Sequence, residues 1–148
     1  MTTHNYTSTV TWSGRTDAYE TYSRRHEVRL GDSSIDLSAA AEFRGDSALP
    51  NPEQLLVAAA SSCQLLSFLA VAAHAGVEII DYRDAATGIM PDDARPMRLT
   101  EIVLRPTIVA LGTTTAVVER LLEKAHRQCY IANSLTAVVT LEPEITVR

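Results

Sequence analysis

The segment from Asn51 to Gly76 constrains the fold more than any other part of the chain, because Leu55 to Ala73 places 19 uncharged residues between a helix start and a helix stop. Asn51 can cap the first turn, and Pro52 suits the first helical position, where its missing N–H costs nothing. Gln54 can reach back to the cap. Gly76 is a natural stop. The 24 residues from Pro52 to Ala75 predict a helix of about 36 Å at about 1.5 Å per residue. No side of it is polar enough to face water.

Such a run is long enough to span a bilayer. Against that reading, Ser61, Ser62, Gln64 and Ser67 sit where hydrocarbon tolerates them least, and seven of the apolar residues are weakly hydrophobic Ala or Cys. The flanks lack clustered Lys or Arg, and the polar start, Met1 to Asn5, does not read as a signal peptide. The expectation is therefore no membrane partner, a cytoplasmic protein, and a helix buried on all sides. With 148 residues and 46% hydrophobic content, the chain reads as one domain, 1–148, with a sizeable core. One small domain has difficulty surrounding so long an apolar helix, so a homodimer is expected. A net charge of −5 with scattered Lys and Arg provides no basic stripe for nucleic acid, and 5% aromatic content disfavours base stacking.

The remaining pattern is strands, the long helix, strands, a second helix and closing strands. Tyr6 to Trp12 alternates toward a strand with a turn at Ser13-Gly14-Arg15, and Tyr22 to Leu30 with Ser34 to Ala39 reads as a hairpin around Gly31-Asp32. Ala40 to Pro50 reads as a loop. Val77 to Tyr82 and Arg83 to Met90 are strand-like, Pro91 to Arg95 is an acidic loop, and Leu99 to Val109 reads as a strand whose Pro106 implies an edge or bulge. Thr113 to Thr115 offers a cap for a helix burying Val117, Val118, Leu121, Leu122 and Ala125, and Cys129 extends that face. Thr136 to Leu141 and Glu144 to Val147 close the chain as strands.

Two cysteines, Cys63 and Cys129, lie 66 residues apart. They could be two buried small hydrophobes. A structural disulfide is disfavoured where cytosolic thiols are kept reduced. His126 and Cys129 could place two zinc ligands on one helical face, but no paired motif supplies the others. A Cys/His hydrolase with His26 or His126 as base is chemically open, though nothing local marks it.

Asn51-Pro52-Glu53-Gln54-Leu55-Leu56, then Ala58-Ala59-Ala60-Ser61-Ser62-Cys63, and later Cys129-Tyr130-Ile131-Ala132-Asn133-Ser134-Leu135 resemble the OsmC/Ohr family of thiol peroxidases. Tyr22-Ser23-Arg24-Arg25-His26 and Phe43-Arg44-Gly45-Asp46 are similar to an OsmC-like subgroup in which those motifs precede Asn-Pro-Glu. That subgroup commonly has His where this chain has Gln64. The resemblance implies an α+β fold, an intertwined homodimer whose long central helices are wrapped by antiparallel sheets, and active sites at the subunit interface. It also implies organic hydroperoxide reduction, an external dithiol as reductant, and no cofactor or metal.

Peroxide is attacked by thiolate, and a free cysteine with pKa of about 8.5 is little ionised at neutral pH. Cys63 lies too deep in its own helix to use the N-terminal dipole, which fades within the first turn, so a cation is expected beside it. Arginine suits this role, because it stays protonated and its fork can meet sulfur and carboxylate together. The candidates are Arg24 and Arg15, with Arg24 favoured, and the resemblance makes Glu53 the carboxylate that holds it. Yet ten helical residues separate Glu53 from Cys63 by about 15 Å. A break near Ala58 to Ser62, or a Glu53 supplied from a differently packed first turn, would close the gap; in a straight helix within one chain, Glu53 is a helix-start residue or indirect partner. Cys129, expected near a helix C-terminus, suits a resolving thiol that forms a disulfide with Cys63. Apolar neighbours such as Leu56, Leu66 and Phe68 would favour alkyl or lipid hydroperoxides. A dimeric binding protein for a small apolar ligand, with incidental thiols, is the alternative.

Overall fold

A computed structural model describes residues 1–148. The chain forms two compact units, Met1–Leu55 and Leu56–Arg148, with the boundary inside the long helix. Nothing in the sequence marks that boundary, because the helix runs through it without a change in composition.

In the first unit, β1 (Thr9–Thr11), β2 (His26–Leu30) and β3 (Ser33–Leu37) form an antiparallel sheet in that order. The β2–β3 hairpin closes at Leu30↔Ser33, leaving Gly31 and Asp32 as the loop, and Gly31 takes φ 59° at its first position. β1 is shorter than the Tyr6 to Trp12 pattern suggests, since Tyr6 is highly exposed and pairs with nothing. The expected loop between Ala40 and Pro50 contains a single 3₁₀ turn, Ala41–Phe43, followed by Arg44 at φ 63°. Gly45 packs so tightly here that a Cβ would stand 1.6 Å from the Ala39 carbonyl oxygen, which only glycine permits. Asp46 N–H then donates to the buried Ser38 hydroxyl at 3.0 Å, fixing the loop to the sheet.

The long helix α1 spans Pro52–His74. Its start is a reciprocal capping pair, with Gln54 N–H donating to Asn51 Oδ1 at 2.9 Å and Asn51 N–H to Gln54 Oε1 at 3.0 Å. Gly76, at φ 68°, follows its end. The chain itself buries one stripe of α1: Ala60, Gln64, Phe68, Val71 and Ala72. A second stripe, Ala58, Ser62, Leu66, Leu69, Ala70 and Ala73, is exposed, with Leu66 at 64% and Leu69 at 38%. The expectation of burial on all sides is thus not met within one chain. By length and composition alone, α1 could also cross a membrane.

The second unit adds β4 (Glu78–Asp84), β5 (Thr87–Ile89), β6 (Glu101–Leu104), β7 (Pro106–Leu111), α2 (Thr115–Arg127), α3 (Tyr130–Asn133), β8 (Val138–Leu141) and β9 (Glu144–Val147). The sheet orders are β4-β7-β9 and β5-β6-β8, each with one antiparallel and one parallel pair. The single strand expected over Leu99 to Val109 is two strands in two sheets. Pro106 supplies no ladder donor and starts β7, while Arg105 turns aside to donate its N–H to Asp84 Oδ1 at 2.6 Å. Thr114 caps α2 by accepting from Val117 N–H at 3.3 Å. Phe68 and Val71 of α1, Ile108 and Ala110 of β7, and Val118, Leu121, Leu122 and Ala125 of α2 form the main core.

Candidate active site

Both cysteines belong to the second unit, and the fold brings their thiols within hydrogen-bond reach of each other. Cys63 is half-buried near the middle of α1, whereas Cys129 is 1% exposed. Cys129 does not extend α2 as expected. That helix ends at Arg127 with Gln128 as its cap, and Cys129 has extended backbone at the N-cap position of α3. The apolar face ends at Ala125 because the chain turns before reaching the cysteine.

The two thiols shift in opposite directions. Burial opposes ionisation of Cys63, but the Ile131 amide, the Cys129 thiol, the Tyr130 amide and the Ser67 hydroxyl outweigh it and hold its pKa below the ordinary value. Burial pushes the Cys129 thiol up, and the neighbouring Cys63, as hydrogen-bond partner and as charge, pushes it further than the Ala132 and Ile131 amides can offset. The amides of Tyr130 and Ile131 belong to the first turn of α3, where N–H groups have no helical acceptor. Cys63, out of reach of its own helix's N-terminus, thus faces N–H groups from another one. Sequence reasoning missed this source of stabilisation and assigned the need to a cation. Ser67 was legible in principle, since i and i+4 share a helix face.

Around this pair, Asp84 ties β4 to α1, accepting from the Ser61 hydroxyl at 2.5 Å through Oδ2 while Oδ1 takes the Arg105 amide. Gln64 is fully buried and donates to the Leu122 carbonyl at 3.3 Å, so it joins α1 to α2, and its Oε1 has no partner. His126 lies on α2 and its buried Nδ1 has no partner. No three His, Cys, Asp or Glu side chains cluster as a metal site.

Arg24 and Glu53 occur together in the first unit, lining a largely apolar cavity of about 560 Å³ with Trp12, Tyr22, His26 and Phe43. The Arg24 guanidinium stacks 3.8 Å over the Tyr22 ring and donates to the Tyr22 and Tyr19 carbonyls at 2.7 and 2.8 Å. His26 Nδ1–H donates to the Arg24 carbonyl at 2.8 Å, bracing the same segment. Arg15, by contrast, has an 86% exposed side chain and meets only Asp17, at 3.8 Å. Glu53 forms no ion pair with Arg24. The helix between Glu53 and Cys63 is unbroken, so their separation along its axis stays at about 15 Å. The break expected near Ala58 to Ser62 is absent because the Ala and Ser residues there keep the helical ladder without a proline or glycine.

Residues 44–144 match the family model described as OsmC-like protein. The chain belongs to the OsmC-like family. An OsmC-like protein of unknown function from Vibrio cholerae has a similar structure, with 33% sequence identity, a TM-score of 0.87, and coverage of 95% of this chain and 99% of that one. The uncharacterized protein YmaD of Bacillus subtilis is 24% identical over 152 residues, covering 100% of this chain and 97% of that protein. An organic hydroperoxide resistance protein from Elizabethkingia anophelis shares the fold at 20% identity, with a TM-score of 0.74 and 99% of each chain covered. The family read from the two cysteine motifs and the α+β class it implies are both borne out, but the sheets are not all antiparallel as expected, because β8 and β9 return alongside β6 and β7 in parallel.

Proposed function

We propose that this OsmC-like protein is a cysteine-based peroxidase that reduces organic hydroperoxides to alcohols. The observation that carries the reading is the asymmetric thiol pair, one half-buried and held toward thiolate, the other buried and held toward thiol. Cys63 thiolate attacks the terminal peroxide oxygen, giving Cys63 sulfenic acid and an alkoxide that leaves as alcohol after taking a proton. The Cys129 thiol then attacks that sulfenic acid, forming the Cys63–Cys129 disulfide and releasing water. An external dithiol exchanges with the disulfide, restoring both thiols and becoming a disulfide itself. A cytoplasmic setting, which keeps thiols reduced, suits this cycle. The similarity to proteins named for organic hydroperoxide resistance supports the substrate class.

Arg24 is the cation in this reading and Glu53 its carboxylate partner. With α1 unbroken, one guanidinium cannot join Glu53 to Cys63 of the same chain. We therefore place Arg24 and Glu53 against the partner subunit's Cys63 in a homodimer, whose interface covers the exposed α1 stripe of Ala58, Ser62, Leu66, Leu69, Ala70 and Ala73. The test is to titrate the reduced protein with an organic hydroperoxide and count thiols. Loss of both per chain, reversed by a dithiol, is expected; intact thiols at modest excess overturn the reading. The aromatic-lined cavity favours one other reading, a binding protein for a small apolar ligand. Trp12, the only tryptophan, lines that cavity, so its fluorescence would report binding that persists when both cysteines are blocked.

A further inference from the structure

Asp84 stands where the two sheets of the second unit meet. The chain steps directly from one of these sheets to the other between β4 and β5 at Ala85-Ala86, between β6 and β7 at Arg105, and between β8 and β9 at Glu142-Pro143. Side chains tie these steps together. Asp84, the last residue of β4, takes the Arg105 amide on Oδ1 at 2.6 Å, while the Arg105 guanidinium reaches Glu142 at 3.0 Å and donates to the Thr87 hydroxyl at 2.9 Å. The seam thus fixes the carboxylate, and its other oxygen, Oδ2, accepts from the Ser61 hydroxyl of α1 at 2.5 Å. Gln64, which joins α1 to the Leu122 carbonyl, makes a longer bond, 3.3 Å, to a neutral acceptor. Of the two ties, the one to the carboxylate is the stronger. Packing alone holds the rotation of α1 weakly here, since Ala58, Ala59 and Ala60 before Ser61 present little ridge for a neighbour to grip.

Successive helical residues are about 100° apart, so Ser61 and Cys63 lie on opposite flanks of α1, with the buried Ala60, Gln64 and Phe68 between them. Whatever fixes the rotation at one flank fixes it at the other. A turn of about 15° would carry a side-chain tip about 5 Å from the axis through about 1.3 Å, enough to part the Cys63 sulfur from the Ile131 and Tyr130 amides that it meets. We propose that Asp84 is a positioning residue, which through the Ser61 hydroxyl sets the rotation of α1 about its axis and so keeps the Cys63 sulfur against the α3 amides. The inference rests on the peroxidase reading for the use made of that thiolate, and on the hydrogen-bonded seam for its position. Ser61 and Asp84 act at a remove, whereas Ser67 meets the sulfur directly.

The test is Ser61→Ala in the full-length chain, which removes the tie to α1 and leaves the contact between Asp84 and Arg105. Alkylation of Cys63 by iodoacetamide is assigned by mass spectrometry and followed across pH. At neutral pH it should be about tenfold slower, the scale of one lost hydrogen bond to a charged group, with the midpoint of the profile moved up and the rate at high pH unchanged. Ser61→Thr, which keeps the hydroxyl, should restore most of the wild-type rate. A merely structural serine would lower the melting temperature and leave the midpoint in place, and a loosened helix would speed alkylation at every pH. Either result overturns the inference. Asp84→Asn separates position from charge. Its amide keeps an oxygen for the Arg105 N–H but offers Ser61 only a neutral partner, so alkylation should slow by about two- to fivefold. If the Asp84 charge acted on Cys63 directly, its removal would favour the thiolate and speed the reaction, which also overturns the inference. With tert-butyl hydroperoxide, Cys63 oxidation in Ser61→Ala should slow in the same ratio as its alkylation. Intact wild-type thiols after that treatment sink the peroxidase reading, while the alkylation arms still decide the role of Asp84.

Discussion

The surroundings of Cys63 and Cys129 differ in ways that side-chain chemistry alone would not suggest. Cys63, in the middle of a long apolar helix, would be expected to be the poorer thiolate, because its own helix offers it no free N–H. Cys129, at the N-cap of α3, would be expected to be the better one. The shifts run the other way. The α3 amides of Ile131 and Tyr130 act on the helix thiol, whereas the N-cap thiol is deeply buried beside a second sulfur. A cysteine's reactivity is therefore set by which N–H groups face it and by how much water it keeps, more than by its own position in an element.

That asymmetry breaks most completely at Cys63. Cys63→Ser should remove peroxide reduction to background, since serine offers no accessible anion to attack the O–O bond. Cys129→Ser should lose turnover yet complete one round, leaving a sulfenic acid exposed to overoxidation. Mass spectrometry after one and after ten equivalents of hydroperoxide separates the two variants. Full activity in Cys63→Ser would overturn the mechanism.

A smaller effect is expected at the cation. Arg24→Ala should slow the first oxidation by about ten- to a hundredfold, the scale of one charge-assisted contact to the thiolate, and raise the apparent Cys63 pKa. Arg15→Ala should change neither, because Arg15 is solvated and held only by Asp17. Stopped-flow oxidation across pH reads both. The rate should rise with pH and level off below the pH of an ordinary thiol, because the Cys63 pKa is lowered, and in Arg24→Ala that plateau should move to higher pH. An unchanged profile in Arg24→Ala would leave the α3 amides, Ser67 and Cys129 as sufficient on their own.

The parts of this arrangement that sequence makes legible are those fixed by near neighbours in the chain. The Asn51–Gln54 capping pair, the Gly76 stop and the Gly31 hairpin each depend on side chains or backbone a few residues apart, and each is found in the structure. The motifs also grouped Arg24 with Glu53, which line one cavity. Illegible were the features decided by distant contacts. Arg105 breaks an apparently continuous strand because Asp84, 21 residues earlier, takes its amide. Cys129 leaves its expected helix face, and the stabilisation of Cys63 comes from amides 67 and 68 residues further along. Periodicity carries no trace of which backbone N–H will meet a given sulfur.

The smallest predicted effect tests the local share of that stabilisation. Ser67 stands one helical turn after Cys63, and its hydroxyl is the last and least of the groups that lower the thiol pKa, after the Ile131 amide, the Cys129 thiol and the Tyr130 amide. Ser67→Ala should therefore raise the Cys63 pKa slightly and slow its alkylation at neutral pH by about two- to fivefold, the scale of one weak neutral hydrogen bond. Helix stability should hardly change, since alanine favours the helix more than serine does. Cys129→Ser, read by the same iodoacetamide assay at Cys63, should have an effect of its own, because it replaces the second-largest stabilising group with a different donor. If Ser67→Ala slows alkylation more than Arg24→Ala does, the helix's own side chains outweigh the cation, and the contrast between the two thiols becomes a property of α1 rather than of the segments packed against it.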